Sequence, residues 1–391
     1  EISACLVGSE MCIRDRVVYT QGSEIQNQAL LGKMIELFPD NEGSSCCVRD
    51  GRGLLNLKRH TPYTAEIFGK IKEMPGVLEV RTISPILVVP SNRNASLPFH
   101  SAAEMLEMTA KTGKPLWELA IDYEMARSGW TREKILDYMK YVVETMESGT
   151  LEALAGNIDM MGIIGPTAGK IKRYMDTDPK SIDMGVINTA STWAMATMEY
   201  SSAMGVVLCA PTGGSAGVFP GAILGTMTHM GCSMDEKIKA MLVTAIIGIV
   251  MSKDYNYSAE LYGCQVEPGA ASAMAAGGLA WVMGGTPEQS CQAASCALQN
   301  ILGTICDPVA GLVQIPCINR NAMSAANSVV SANMVMGGFD PLIPLDQAAE
   351  TLFRVGKQLP SELRCTCAGG LCITPCGQRL AEEQEIRDNA R

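Results

Sequence analysis

Histidine is scarce in this sequence. Only His60, His100 and His229 occur in 391 residues. A zinc site built on imidazole ligands and a Ser-His-Asp triad both need histidine beside other reactive groups. The shortage therefore argues against both kinds of site.

Basic residues and aromatic residues are also in short supply. The chain has 31 Lys and Arg against 41 Asp and Glu, and its formal net charge is −10. Nucleic-acid binding needs a basic face, so we expect no nucleic-acid partner. Aromatic residues make up 5% of the chain, whereas 38 Gly and 25 Met are present, a balance that favours tightly packed helices. A hydrophobic content of 47% is ample for a core.

No apolar stretch has the length and continuity of a membrane span. Residues 201–234 contain no Asp, Glu, Lys or Arg, but Pro211, Pro220 and several glycines interrupt them. The apolar run 240–251 is too short to cross a bilayer. We therefore expect buried core helices rather than membrane spans. Charged residues break the first apolar stretch, so no secretory signal is read there and a cytoplasmic protein is expected.

Cysteine, by contrast, is abundant, with 15 residues. The chain is too long for a small disulfide scaffold, so reduced thiols in a reducing compartment are the simpler interpretation. Most buried free cysteines act as small hydrophobes. Cys291 and Cys296 are predicted to be core residues of one helix, and Cys46 and Cys47 exposed thiols in a polar loop.

The pattern of elements predicts a mainly α protein, with a large helical domain preceded by a small α/β segment. Residues 1–16 fit poorly with the rest of the sequence and are interpreted as a non-native scar. Residues 17–97 form the α/β segment, with a helix over 27–38 and strands over 77–83 and 86–90. Residues 98–380 form the helical domain, and residues 381–391 form a charged tail.

Several helix boundaries in the second domain carry sequence signals. Ser101 and Glu104 form a capping box, as do Thr286 and Gln289 around Pro287. Thr131 is predicted to begin a helix that Gly149 ends. Further helices are expected over 235–251, 319–336 and 346–358.

A glycine-rich turn runs from Cys209 to Pro220 and carries Thr212 and Ser215 ahead of an apolar segment. Such a turn presents backbone N–H groups at a positive helix end, which suits a phosphate or carboxylate. A close helix crossing that requires small residues explains the same pattern equally well. Both interpretations stay open.

Three cysteines stand in unusual surroundings. Cys264, Cys306 and Cys317 each lie within two residues of Gly or Pro, where turns supply backbone amides around a metal cluster. Their spacing includes no C-x₂-C run, so core packing remains an alternative.

Four segments together resemble the iron–sulfur-dependent L-serine dehydratases (L-serine ammonia-lyases), specifically their α subunit or catalytic domain. The segments are Ala210-Pro-Thr-Gly-Gly-Ser-Ala-Gly217, Gly263-Cys-Gln-Val-Glu267, the stretch from Cys306-Asp-Pro-Val-Ala-Gly to Pro316-Cys-Ile-Asn-Arg-Asn321, and Gly369-Gly-Leu with Thr374-Pro375. The resemblance extends from about Phe99 to Leu380. It implies a lyase of amino-acid catabolism and gluconeogenesis that converts L-serine to pyruvate and ammonia.

The resemblance also implies a [4Fe–4S] cluster held by Cys264, Cys306 and Cys317. One iron would lack a protein thiolate and act as a Lewis acid on the serine hydroxyl. Pyridoxal phosphate would then be unnecessary, and no lysine here stands in a recognisable pyridoxal motif.

The remaining site residues are assigned roles on the same basis. Glu267 and Ser258 are the catalytic candidates, and Glu267 suits either a general base or an ammonium-binding group. The candidates for substrate binding are Thr212, Gly213, Gly214, Ser215, Arg320 and Asn321. For each carboxylate a solvated or helix-capping role is an alternative.

The family resemblance includes a second, β-type domain or subunit, whose Ser-x-His-x-x-Gly-Pro-type motif is not found here. Residues 17–97 are either the end of such a domain or an unrelated appendage. We expect a homo-oligomer with L-serine as substrate. A rival hypothesis is a non-catalytic iron–sulfur or zinc protein that uses Cys365, Cys367, Cys372 and Cys376.

Overall fold

The computed structural model describes residues 14–37, 43–49, 51–59, 65–83, 95–160, 162–253 and 255–389. The chain divides into two compact units, Glu1–Asn94 and Ala95–Arg391. A small antiparallel sheet lies in the first and a large set of helices in the second, which confirms the fold class. The strand expected over 86–90, as well as Cys5 and Cys12, lies outside the described residues.

The described residues of the first unit form strands and helices in the order β-α-β-β-α-β. They are β1 (Arg14–Gln21), α1 (Glu24–Leu37), β2 (Gly43–Arg49), β3 (Arg52–Arg59), α2 (Ala65–Lys72) and β4 (Val77–Ile83). The sheet is antiparallel with the order β2-β3-β1-β4, the arrangement of ferredoxin-like βαββαβ units. Its core consists of Val18, Leu31, Met34, Leu55, Leu57, Ile71 and Val80.

The two cysteines of strand β2 differ from expectation. Cys46 and Cys47 lie in strand β2, not in a polar loop, because β2 pairs with β3 along its whole length. Cys46 is partly buried and Cys47 is exposed, as alternating positions on a strand require. Strand β1 begins at Arg14, within the residues interpreted as a scar.

The second unit is helical. Its helices are α3 (Ala102–Thr112), α4 (Leu116–Ser128), α5 (Arg132–Ala155), α6 (Ala168–Thr177), α7 (Val186–Ser202), α8 (Thr226–His229), α9 (Met234–Met251), α10 (Ala259–Tyr262), α11 (Pro268–Val282), α12 (Pro287–Gln299), α13 (Cys317–Met336), α14 (Leu345–Gln358) and α15 (Pro375–Asn389). Short turns of 3₁₀ helix lie at Gly213–Ser215, Cys264–Val266, Val309–Gly311, Ser361–Leu363 and Gly370–Ile373, and a π-helical turn at Pro220–Gly225. Helix α15 includes most of the charged segment 381–391.

Helix α11 occupies the centre of this unit. Its residues from Pro268 to Ala280 are all buried, and it packs against α9, α12 and α13. A helix that is apolar on every side is stable only inside a core. Its N-terminus follows Glu267, so the most buried helix of the protein positions a candidate site residue.

Small residues also bring α7 against the π-helical turn. A Cβ added to Gly221 would lie 2.3 Å from the Ala190 carbonyl oxygen and 2.8 Å from the Ala194 Cβ. Only glycine permits this approach, since real Cβ atoms do not come so close to other heavy atoms. The glycine-rich stretch therefore provides a close helix crossing, one of the two interpretations of its sequence.

The predicted capping residues Ser101, Thr131 and Thr286 each precede a helix. Thr286 and Gln289 form the reciprocal capping box, and Ser101 accepts from the Glu104 N–H at 3.2 Å. The expected helix stop at Gly149 is wrong, because α5 continues to Ala155 and ends at Gly156 with φ of 80°. Gly149 is instead a packing position, where an added Cβ would lie 2.8 Å from the Tyr200 ring.

Among the described residues, no helix combines the length and the apolar character that crossing a membrane requires. The apolar helix α9 is a core element, as the sequence predicts for the run 240–251, and α11 is a second one.

Candidate metal centre

The three predicted metal-ligating cysteines come from three different local structures. Cys264 begins a 3₁₀ turn after Gly263, whose φ is 79°. Cys306 lies in an extended loop and forms a parallel bridge with Arg364, and Cys317 is the first residue of α13. All three side chains are buried, whereas Cys209, Cys367 and Cys376 of the same unit are exposed.

Two of these thiols meet a carboxylate. The Sγ atoms of Cys264 and Cys306 and a carboxylate oxygen of Glu267 lie within 4.8 Å of one another. The Cys306 thiol donates a hydrogen bond to Cys264. Cys317 is not in this set, but it is close enough for charge on Cys264 and Glu267 to raise its pKa.

The thiols differ in how readily they ionise. The pKa of Cys264 is lowered, because the hydrogen bond from Cys306, together with the Arg320 cation, outweighs burial. The pKa of Cys306 is raised, since its hydrogen bond to Cys264 and its burial both favour the neutral thiol. Burial raises the pKa of Cys317 to about 12. Because a metal binds thiolate, loading such a site releases protons.

Arg320 organises the loop that carries Cys306. Its Nη1 donates to the Ile305 carbonyl oxygen at 2.7 Å and lies 2.8 Å from Asp307 Oδ1. Asp307 is almost fully buried, and its other oxygen accepts from the Leu371 N–H at 2.8 Å. The guanidinium also donates to Cys264. Arg320 therefore combines a structural role with a positive charge beside the thiols.

The glycine-rich turn faces Glu267. The Thr212 hydroxyl and the Gly214 N–H both donate to the Glu267 carboxylate. A Cβ on Gly214 would lie 2.7 Å from a Glu267 oxygen, so this residue must be glycine for the contact to exist. Burial raises the pKa of Glu267, and the Thr212 hydrogen bond opposes that effect.

Ser215 and Asn321 hold the turn in place. Ser215 Oγ accepts from the Thr212 N–H at 3.1 Å and donates to the Ala210 carbonyl oxygen at 3.0 Å. Asn321 Nδ2 donates to the Gly214 carbonyl oxygen at 2.8 Å, and its Oδ1 accepts from the Gly217 N–H at 3.1 Å. Because Asn321 lies one turn after Cys317, it links the turn to the start of α13.

Ser258 and Gly213, the other two predicted site residues, lie at the edge of the site. Ser258 Oγ donates to Glu260 at 2.6 Å, and Glu260 is exposed. The charge on Glu260 raises the pKa of Glu267, so Ser258 and Glu260 lie near the site, at its edge. Gly213 is exposed on the turn, next to the residues that contact Glu267.

The site also contains two residues that the sequence patterns did not assign to it. Asp307 follows Cys306 directly. Its position within the Cys306–Asn321 motif was the sequence signal that could have assigned it to the site. Cys365 hydrogen-bonds to Cys306 and packs with Cys264 and Cys306. Its N–H donates to the Cys306 carbonyl oxygen at 2.8 Å. Only the cysteine-rich composition of the tail pointed toward it.

The residues present fit an iron–sulfur group. Thiolates are the protein ligands that iron–sulfur clusters take. Two buried cysteines meet here beside a cation, and the third, Cys317, is close enough for the charge on Cys264 to raise its pKa. Two of them lie close together, and the pKa of one of these two, Cys264, is lowered.

Comparisons with known proteins agree with this geometry. Residues 111–372 match the family described as serine dehydratase alpha chain. The chain is 35% identical over 285 residues to the probable L-serine dehydratase alpha chain of Bacillus subtilis, covering 73% of this chain and 95% of that one. It is 32% identical over 285 residues to the L-serine dehydratase alpha chain of Peptoniphilus asaccharolyticus, covering 73% of this chain and 97% of that one. L-serine dehydratase 1 of Escherichia coli is 35% identical over 287 residues, which are 71% of this chain and 62% of that one.

Proposed function

Because the chain belongs to the serine dehydratase alpha-chain family, we propose that it is an L-serine ammonia-lyase, converting L-serine to pyruvate and ammonia. The observation that carries the proposal is the convergence of Cys264, Cys306 and Glu267 within 4.8 Å. This arrangement combines ligands for a metal with a carboxylate that can move a proton.

We propose that Cys264, Cys306 and Cys317 hold a [4Fe–4S] cluster. When bound, an iron with an open position would supply Lewis acidity to the serine β-hydroxyl. The Arg320 cation would offset part of the negative charge of the thiolates. Pyridoxal phosphate has no role in this scheme.

Glu267 is the proposed general base for the α-proton of serine. Its partly buried carboxylate has a raised pKa, which makes it a stronger base than an exposed glutamate. Thr212 and Gly214 orient it through their two hydrogen bonds. Loss of the α-proton and the β-hydroxyl gives aminoacrylate, which tautomerises to an imine and hydrolyses to pyruvate and ammonia.

The rest of the turn is proposed to bind the substrate carboxylate. Gly213 and Ser215 flank the donors to Glu267, and Arg320 supplies positive charge nearby. Asn321 fixes the turn relative to Cys317, so its contribution to binding is one of positioning. Ser258 keeps a proposed role at the edge of the site, through its hydrogen bond to Glu260.

A β-type chain is the proposed partner, and the alpha-chain names of two relatives support it. Assembly into a homo-oligomer and a cytoplasmic location are further proposals.

The test is anaerobic reconstitution with iron and sulfide, followed by metal analysis and an assay of pyruvate formed from L-serine. The assay is run with and without a β-type chain. We expect cluster absorption in the wild type and its loss in Cys306→Ala, whereas Cys209→Ala, which removes an exposed thiol, keeps it. Absence of a cluster from the wild type would refute the proposal. Loss of metal in Cys372→Ala with retention in Cys264→Ala would instead support the rival hypothesis, a non-catalytic metal protein that uses the tail cysteines.

A further inference from the structure

The segment from Cys365 to Cys376 carries four cysteines that the proposed reaction does not use. Two of them point at the same atom. The sulfur of Cys367 lies 3.5 Å from the Pro308 carbonyl oxygen, and the sulfur of Cys372 lies 3.2 Å from it. The Cys367 sulfur is also close enough to Cys372 to raise the pKa of that thiol. They therefore form a pair within one small part of the fold.

Backbone contacts on both sides hold this pair together. The Cys365 N–H donates to the Cys306 carbonyl oxygen, and the Leu371 N–H donates to Asp307, both at 2.8 Å. Between these anchors the chain adopts positive φ at Cys365 (61°) and Cys367 (56°). This conformation is unfavourable for a non-glycine residue, so packing must maintain it. The positions of the thiols are therefore set by the fold rather than by local preference.

The pair is asymmetric in exposure. Cys367 is exposed, whereas Cys372 is buried in the 3₁₀ turn Gly370–Ile373. Burial, with the neighbouring Cys367 sulfur, raises the pKa of Cys372 to about 12. An exposed thiol meets an oxidant first, and a buried partner is protected until the first thiol has reacted.

We propose that Cys367 and Cys372 are a redox-active pair that closes to a disulfide when the chain meets a hydroperoxide. The Cys367 thiolate attacks the peroxide, whose O–O bond breaks; the sulfur becomes a sulfenic acid and an alcohol or water leaves. Cys372 then attacks this sulfur, the S–S bond forms, and the sulfenic oxygen leaves as water. In total, two thiols and one hydroperoxide give one disulfide, one water and one alcohol or water.

Closure changes the loop that carries Cys306. A disulfide has no S–H, so both hydrogen bonds to the Pro308 carbonyl oxygen are lost together. Pro308 lies two residues after Cys306, so the loop that carries Cys306 is the part of the fold that loses these contacts when the disulfide forms. The pairing itself needs neither bound metal nor substrate, so its test is independent of the proposed reaction.

The test is peptide mapping of the full-length chain after graded hydrogen peroxide and alkylation. Cleavage after Arg364 and Arg379 releases residues 365–379, which contain all four tail cysteines. We expect the number of alkylated thiols on this peptide to fall from four to two, with fragmentation placing the bond between Cys367 and Cys372. A thiol reductant should restore all four.

Two variants provide the control. Cys367→Ser should keep its three remaining thiols alkylatable, whereas Cys376→Ser should still form the bond and leave one. Cys376 is a matched choice because it is an exposed cysteine of the same peptide. In urea the preference for this pair should disappear. The proposal is wrong if the peptide stays fully alkylated, if Cys372 pairs with another cysteine, or if Cys367→Ser oxidises as readily as the wild type.

Discussion

Replacing Asp307 with Asn tests the central electrostatic link of the site. The Asp307 side chain is 2% exposed and that of Arg320 is 17% exposed, with a nitrogen–oxygen distance of 2.8 Å. Asn keeps the shape and an acceptor for the Leu371 N–H but removes the negative charge. The Arg320 cation would then depend on the Ile305 carbonyl oxygen and the Cys264 sulfur.

The expected cost follows from these contacts. A hydrogen bond or ion pair to a charged group contributes about 1.5–3 kcal/mol, so Asp307→Asn should lower the free energy of unfolding by about 2 kcal/mol. Asp307→Ala removes the charge and every polar contact of the side chain with Arg320 and Leu371, which costs about 3–5 kcal/mol. The gap between the two variants measures what the neutral amide still contributes to these contacts.

Urea unfolding of the metal-free chain under anaerobic conditions measures these differences. All four Trp residues lie in the second unit, so their fluorescence reports on the helical domain. The control is Asp346→Asn, whose carboxylate accepts from Ala102 N and Ala103 N at the start of α3. That helix-end contribution is worth only about 0.3–1 kcal/mol. If Asp307→Asn matches the wild type, or is as damaging as Asp307→Ala, the reasoning is refuted.

Two further substitutions test packing and catalysis. Gly221→Ala should destabilise the chain by about 1–3 kcal/mol in the same urea assay, because its Cβ meets backbone atoms of α7. Gly165→Ala, where nothing lies within 4 Å of the added Cβ, should change stability by at most about 1 kcal/mol; equal effects would contradict the packing argument. Glu267→Gln should lower kcat for L-serine by about 10²–10⁴-fold with unchanged iron content, as expected for loss of a general base. Glu260→Gln is its control, and activity of Glu267→Gln close to that of this control would eliminate the proposed base.

Local signals in the sequence identified several helices of the second unit. Thr286, Pro287 and Gln289 determine a helix start by contacts within four residues, and the structure has that capping box. Gly149 could not be interpreted in this way. Its role depends on the Tyr200 ring, which lies far along the chain and approaches only after α5 and α7 pack. A glycine required for packing and a glycine that ends a helix look the same in one sequence.

Strand β2 shows that local sequence signals also fail where a strand depends on its pairing partner. Its sequence, Gly43-Ser-Ser-Cys-Cys-Val-Arg49, has little strand propensity, and pairing with β3 is what makes it a strand. That pairing is a tertiary interaction, so a polar loop was the natural expectation.

The site was only partly accessible to sequence reasoning. Turn residues around Cys264 and Cys306 indicated where ligands could lie, and the structure brings these two thiols together with Glu267. The contact between Thr212 and Glu267 spans 55 residues, and that between Asp307 and Leu371 spans 64. No spacing rule predicts such pairs, because they depend on how α11, α13 and the tail pack.

The bridge between Cys306 and Arg364 has a consequence for the order of assembly. The Cys306 N–H donates to the Leu363 carbonyl oxygen, and its own carbonyl oxygen accepts from Cys365. A ribosome delivers the chain from its N-terminus, so residues 363–365 emerge after all three proposed ligands. Until they arrive, the Cys306 loop lacks both backbone partners. The backbone contacts of Cys306 are therefore completed only after the tail has been translated, and a chain stalled before Arg364 would carry the three proposed ligands without these two contacts.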